Sequence, residues 1–185
     1  MSTSLPLGQR VTHILKMCVN PGATLQQHLA DYSWPWAFGI SGLAFTLFFM
    51  QTGLDLFRQG AGFIRVAELT IIGALYGTVG VASLAGIAWM GSKPADGTHT
   101  YEWTLRAFGL SYSPTLIYVV CGLAANVLLG WNTSVAFGIT GALWAMNPMN
   151  AAIKEMTAGK TGTSIVLTSL CGGLLLLGWG WISTR

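Results

Sequence analysis

Long apolar runs fill almost all of the chain after residue 33, and no other feature constrains its fold as strongly. The runs cover residues 35–52, 64–90, 108–129, 134–153 and 163–182. A helix needs about 20 residues to cross a ~30 Å hydrocarbon core, and lipid leaves only helices or closed barrels able to satisfy the backbone. Because each run has the length of a helix, the sequence predicts an all-α integral membrane protein with a bundle of about five transmembrane helices over residues 35–182.

The fourth run is the least apolar of the five. Asn147, Pro148 and Asn150 interrupt its second half. Amide side chains in lipid need partners inside the bundle, and proline removes a backbone hydrogen bond from a helix. If this run does not cross the membrane, the predicted number of spans falls to four.

The scarcity of charge supports the membrane prediction and limits the partners. Only 8% of the residues are charged, against about 25% in an average soluble domain. A lipid-facing surface needs no polar coat, whereas a soluble domain of this size could not be covered with so few charges. The net charge is +3, and the Lys and Arg residues are spread singly, without the basic runs that bind nucleic acid. We therefore expect lipids and membrane proteins as partners, and no nucleic acid.

Residues 1–34 are predicted to form one or two short amphipathic helices on the cytoplasmic side or in the lipid interface. Within residues 8–18 the apolar positions recur at helical spacing, at Val11, Ile14, Leu15 and Cys18. The opposite face carries Arg10, His13 and Lys16. Such a helix either packs on the bundle or lies among the headgroups. Asn20 followed by Pro21 is typical of the start of a second helix.

The distribution of Lys and Arg predicts the orientation of the chain. Six of them flank the runs on the amino-terminal side, namely Arg10, Lys16, Lys93, Arg106, Lys154 and Lys160. Three flank the other side, namely Arg58, Arg65 and Arg185. Because positive loops stay in the cytoplasm, we expect a cytoplasmic amino terminus and a carboxyl terminus on the opposite side.

The runs carry no recognisable set of catalytic or metal-binding residues. All three histidines, His13, His28 and His99, fall outside them, and the Ser and Thr residues within them lack a neighbouring base. Arg65 and Glu68, three residues apart, are the one candidate for a buried charge, and their spacing also suits a local ion pair at the interface. The sequence therefore predicts a protein that is not an enzyme and binds no cofactor.

Glycines give the clearest indication of helix packing. Gly73 and Gly77 form a G-x-x-x-G pair in the second run, and glycines recur in the fifth run at positions 172, 173, 178 and 180. Small residues let helices approach closely in lipid. The pattern does not say whether the partner helix belongs to the same chain or to another protein, so both interpretations stay open.

Three features together resemble the Ypt-interacting protein (Yip domain) family, in its bacterial form. The first is an opening with Ile14-Leu15, then Asn20-Pro21, then an apolar helix over residues 25–29. The second is the polar segment 104–114, which passes through Tyr112 to Pro114 ahead of a span. The third is the plan of five spans behind a cytoplasmic segment. The acidic Asp-Leu-Tyr-Gly-Pro signature of the eukaryotic branch is absent.

The resemblance implies a function without chemistry. Family members of the eukaryotic branch are membrane scaffolds that bind small GTPases, and bacterial members have no assigned reaction. We therefore expect a non-enzymatic scaffold or adaptor in a bacterial inner membrane, acting through helix–helix and lipid contacts with other membrane proteins or its own copies. Tyr112 is expected near the interface, with Pro114 starting or kinking the third span. An accessory subunit of a larger energy-transducing or transport complex is the first alternative, and a small-molecule transporter is the second.

Overall fold

The computed structural model describes residues 7–184, apart from the side chains of Leu7 and Arg10, and every regular element within this range is helical. Nine α-helices occur in these residues: α1 (Leu7–Val19), α2 (Pro21–His28), α3 (Trp34–Arg58), α4 (Phe63–Leu75), α5 (Val81–Ser92), α6 (Tyr101–Ser111), α7 (Ser113–Leu129), α8 (Thr140–Met156) and α9 (Thr161–Ser183). The predicted all-α fold is confirmed for this part of the chain.

Four continuous helical segments are long and apolar enough to cross a membrane. They are Trp34–Arg58, Phe63–Ala95, Tyr101–Leu129 and Thr161–Ser183. The chain is therefore a helical protein embedded in a membrane. The fourth predicted run forms a π-helical turn, Ser134–Ile139, that continues into α8. This segment is not among the four, because its carboxyl-terminal half carries polar side chains.

The first span is longer than its apolar run. It was expected to end at residue 52, and α3 continues to Arg58 with Gln51 and Asp55 buried. The prediction was short because α3 lies inside the protein, where neighbouring helices supply partners for polar groups that lipid could not satisfy. α3 packs against α4, α6 and α7, and its Phe45, Phe48 and Phe49 form the centre of the apolar core.

The third span begins earlier than its apolar run indicates. Helix α6 starts at Tyr101, and Tyr112 separates it from α7. Pro114 occupies the first turn of α7, where its missing amide hydrogen costs least, so the expectation that it starts a helix agrees with the structure. Tyr112 was expected near the interface, and instead it is fully buried in the core with its ring 5.0 Å from that of Phe45. Helix α6 precedes Tyr112 in the same column, so Tyr112 lies within the Tyr101–Leu129 segment and not at its end.

The α6–α7 column runs parallel to α3 along its whole length. A methyl group at Gly109 would meet the backbone of Ala37 near the start of α3. Farther along, Gln51 donates a hydrogen bond to the carbonyl oxygen of Val119, and near the end Asn126 donates one to Asp55. The two columns therefore cross the same thickness in the same direction.

The amino-terminal helices lie against the start of these columns. Asn20 caps α2 by accepting a hydrogen bond from the amide of Ala23 (3.3 Å), in agreement with the predicted helix start. Helix α1 packs on the bundle through Met17, which is buried. Two residues of its predicted apolar face, Val11 and Leu15, point outward instead and are about half exposed. The helix therefore combines packing on the bundle with an exposed apolar edge.

A π-helical turn at Tyr76–Gly80 joins α4 to α5 within one continuous column. Its first residue, Tyr76, packs its ring against Phe45 and Phe49 of α3 and donates its hydroxyl hydrogen to the carbonyl oxygen of Leu175 on α9 (2.5 Å). The wider turn lets the α4 half face α3 while the α5 half faces α6 and α9.

Candidate functional site

A buried carboxylate joins three helices at the carboxyl-terminal end of α3. Asp55 is 5% exposed. Its oxygens accept hydrogen bonds from the side-chain amide of Asn126 (2.7 Å) and from the backbone amides of Thr133 (2.9 Å) and Ser134 (2.8 Å). Because the helix that leads into α8 begins at Ser134, the carboxylate lies at a helix amino terminus, where negative charge is favoured.

The guanidinium of Arg58 makes the complementary contacts at the end of α7. It donates to the carbonyl oxygens of Trp131 (2.9 Å) and Asn126 (2.5 Å). Cations are favoured at helix carboxyl termini. Gly130, with φ of 69°, adopts the left-handed conformation that closes α7. Asp55 and Arg58 together hold the turn between α7 and the next helix from both of its ends.

The chemistry of this cluster is that of a structural clamp. Both oxygens of Asp55 already accept protein hydrogen bonds. An open cleft of about 310 Å³ adjoins it and is lined partly by Thr52, Asp55 and Trp179. Trp179 donates its ring N–H to the Thr52 hydroxyl (3.1 Å), which ties α9 to α3 at the same level. The cluster thus fixes the relative positions of three spans.

This cluster was not predicted, although the sequence contains a signal for it. Gln51, Asp55 and Arg58 recur at i, i+4 and i+7, which places them on one face of a helix that is otherwise apolar. The apolar run was ended at residue 52, so the pattern was divided between a span and a loop. Gln51 is fully buried, and its Oε1 has no hydrogen-bond partner within residues 7–184.

The predicted packing pair, Gly73 and Gly77, lies against α3 of the same chain. A methyl group at Gly73 would sit 2.5 Å from the carbonyl oxygen of Phe45, and one at Gly77 would collide with the backbone at Ser41. The close approach that these glycines allow is therefore already used within the chain. This observation favours the interpretation of packing inside one molecule for this pair.

Arg65 and Glu68 form an ion pair on the surface of α4, with a distance of 3.3 Å between Nη1 and Oε2. The side chain of Glu68 is 53% exposed. Arg65 also donates to the carbonyl oxygen of Ile182 near the end of α9 (2.9 Å). The pair therefore lies where α4 begins and α9 ends, and it ties these two helices together.

Helix α9 is the most peripheral of the membrane-length helices. Only 22% of its apolar window is buried inside the protein, compared with 61% for α3. Its inward glycines are filled, since Gly172 meets Met146 and Gly178 meets Tyr76. At two others, Gly173 and Gly180, a methyl group added to the backbone would have no neighbouring atom within 4 Å. α9 therefore keeps a face of small residues that nothing in the described chain covers.

Two histidines meet between α1 and α2 on the amino-terminal side. The rings of His13 and His28 stack with centroids 3.9 Å apart, and His13 Nδ1 lies 3.0 Å from the hydroxyl of Tyr32. Burial, followed by the charges of His28 and Lys16, lowers the pKa of His13, and Asp31 opposes this shift. Within the described residues no three His, Cys, Asp or Glu side chains are grouped as a metal site requires.

These observations define the class of protein as a multi-pass helical membrane protein. Comparisons of the chain with models of known families, with curated proteins and with solved structures find no match.

Proposed function

We propose that the chain is a non-enzymatic membrane scaffold or adaptor of the Yip-domain type, which binds other membrane proteins or its own copies through the outer face of α9. One observation carries this proposal. The glycines that allow close approach elsewhere, such as Gly73, Gly77 and Gly109, are occupied by neighbouring helices of the same chain, whereas Gly173 and Gly180 are open.

The outer face of α9 suits contact with another helix. Ser169, Gly173 and Gly180 lie on one side of it, at i, i+4 and i+11, with the partly buried Leu176 between the two glycines. The Ser169 side chain is exposed, so its hydroxyl is available to a neighbour. In lipid, small residues allow helix backbones to approach, and a hydroxyl gains by bonding across a helix interface. Large apolar side chains, including Leu177, flank this face.

The proposal includes five spans, with the segment from Ser134 to Met156 as the fifth crossing. Two contacts at opposite ends support this count. Ser134 lies at the Asp55 end of the α6–α7 column, and Met156 contacts Thr104 near its other end (3.8 Å between Sδ and Oγ1). The segment therefore covers the same distance as a column that meets the length and apolarity of a span.

With five spans the two termini lie on opposite sides of the membrane. The excess of Lys and Arg favours a cytoplasmic amino terminus, in a bacterial inner membrane as the family resemblance implies. Exposed tryptophans occur near both ends of the spans, with Trp34 at the start of α3 and Trp131 and Trp181 at the opposite end, as expected for aromatic belts. A further exposed tryptophan, Trp144, lies within α8. Reporter fusions at both ends measure this orientation directly.

The test replaces the open glycines without touching the core. In the double variant Gly173→Leu and Gly180→Leu, two leucines would separate α9 from a partner helix while leaving the inner glycines of α9 unchanged. Ala124→Leu, at an exposed position of α7, is the matched control. We expect the double variant to lose energy transfer between copies labelled with two fluorophores in liposomes, or to lose membrane proteins that co-purify with the wild type. The control should lose neither.

Two results would overturn the proposal. The proposed binding through the outer face of α9 fails if the folded double variant keeps every association of the wild type. The non-enzymatic function fails if the purified wild-type protein converts or transports a small molecule by itself in liposomes.

In the accessory-subunit alternative the same face of α9 binds neighbouring subunits, and this binding is permanent. A subunit of a larger complex would leave the membrane only together with its neighbours, whereas a scaffold would purify alone in a mild detergent. Mass spectrometry of the native particle separates the two.

A further inference from the structure

We propose that the groove between α1, α3 and α7 binds one acyl chain of a membrane phospholipid. The groove has a volume of about 320 Å³. Ile14 of α1, Trp36 and Leu43 of α3 and Leu116 of α7 contribute to its walls, and Gly39 lies at its floor. This inference does not rest on the scaffold function.

The position of the groove in the membrane points to lipid. It begins at Pro35, in the first turn of α3, where the exposed ring of Trp34 suits the headgroup level. It ends near Leu43, about 12 Å farther along at the rise of a helix. Leu43 is 51% exposed and belongs to the outer surface of a membrane-length helix. The groove is therefore continuous with the lipid-facing surface and runs from the interface into the hydrocarbon.

Helix α1 borders one side of the groove through Ile14. Met17 anchors this helix in a cluster that includes Leu110 of α6, and Ile14 packs beside it. The outward edge of α1 exposes Val11, Leu15 and Val19. The carbonyl oxygen of Cys18 accepts a hydrogen bond from the ring N–H of Trp144 (3.5 Å), so α1 also lies against α8. A chain in the groove would thus contact three helices of the protein.

The size and shape of the groove favour an acyl chain over a helix. A helix with its side chains is about 10–12 Å wide, so even one turn of it would overfill a groove of about 320 Å³. A methyl group added at Gly39 would have no neighbour within 4 Å, so the floor is open to a slender apolar chain.

The experiment uses the whole chain in liposomes that contain a phosphatidylglycerol with a photoactivatable diazirine on one acyl chain. Mass spectrometry then maps the labelled residues. We expect labelling at the half-buried Ile14 and Leu116, and a loss of this labelling in Gly39→Leu, whose side chain fills the floor. Labelling at Leu177, which is 74% exposed on α9, reports bulk lipid and should be unchanged. Ala124→Leu is the control for added bulk elsewhere.

The possible results of this experiment distinguish a lipid acyl chain from other occupants of the groove. Groove labelling that survives in folded Gly39→Leu overturns the proposal, as does a cross-link from residues 1–6 into the groove, which would make the chain's own amino terminus the occupant. Repetition with phosphatidylcholine of the same acyl chain must still label the groove, because the site is assigned to the chain. If Gly39→Leu does not fold, Leu116→Trp fills the groove from the opposite wall, and the same loss is required of it.

Discussion

Replacement of Asp55 by alanine is the most direct test of how the spans are held together. The change removes the acceptor from three buried donors, which are the amides of Thr133 and Ser134 and the side chain of Asn126. It also removes the negative charge at a helix amino terminus. We expect a less stable folded state, with the turn between α7 and the next helix loosened first.

The size of the effect follows from these contacts. Loss of an amino-terminal cap costs about 1 kcal/mol, and each buried donor left without a partner costs about 1–3 kcal/mol. The adjoining cleft admits water to part of the cluster and so reduces the cost of the unpaired donors. We therefore expect a loss of about 3 kcal/mol in the free energy of unfolding, which is roughly a hundredfold in the equilibrium constant at 1.4 kcal/mol per factor of ten. Asp55→Asn keeps one acceptor oxygen and should lose about half as much.

The assay is reversible unfolding in mixed micelles, followed by helical circular dichroism. Glu68→Ala is the matched control, because it removes a carboxylate whose ion pair is exposed, and exposed pairs contribute about 0–1 kcal/mol. A loss for Asp55→Ala no larger than that for Glu68→Ala would refute the clamp, and so would a loss that leaves exchange of the Ser134 amide hydrogen unchanged.

The remaining predictions concern the packing glycines and the paired histidines. Gly77→Leu should destabilise the monomer, because its side chain would collide with the backbone of α3. Gly173→Ala should leave the unfolding midpoint unchanged. A larger loss of stability for Gly173→Ala than for Gly77→Leu would contradict the assignment of inner and outer faces. Burial and then the charge of His28 hold the pKa of His13 below its ordinary value of 6.5. The contribution of neutral His13 to the docking of α1 is therefore present above pH 6.5 and is lost as the pH falls through the lowered pKa. Ring resonances in an NMR titration should show His13 titrating below pH 6.5 and moving upward in His28→Gln, and titration at 6.5 in both proteins would contradict this.

The helical, membrane-embedded character of the chain could be predicted because lipid allows few structures and the apolar runs have the right length. The starts of α2 and α7 could also be predicted, since Asn20 and Pro114 act locally, through a side-chain cap and a missing amide hydrogen. These features depend on neighbours within a few residues of the chain.

The Asp55 clamp and the burial of Tyr112 could not be predicted in the same way. Asp55 is satisfied by groups that lie more than seventy residues later in the chain, so its neighbours in sequence make it look like the polar end of a span. Tyr112 stands in a polar segment, and only the parallel packing of α3 beside α6 shows that it enters the core. The sequence likewise shows many glycines, and only the packed structure separates the filled Gly77 from the open Gly173.

The π-helical turn at Tyr76–Gly80 makes the second span intolerant of changes in length. Each residue of a helix advances it by about 100° around its axis, so removal of one residue from this turn would rotate all of α5 relative to α4. The buried face of α5, which includes Val81, Ala85 and Ala88, would then turn toward lipid while α4 kept its contact with α3. A substitution within the turn changes one side chain, whereas an insertion or deletion changes the register of the whole column. Related sequences should therefore gain or lose residues in the loops and not in this turn.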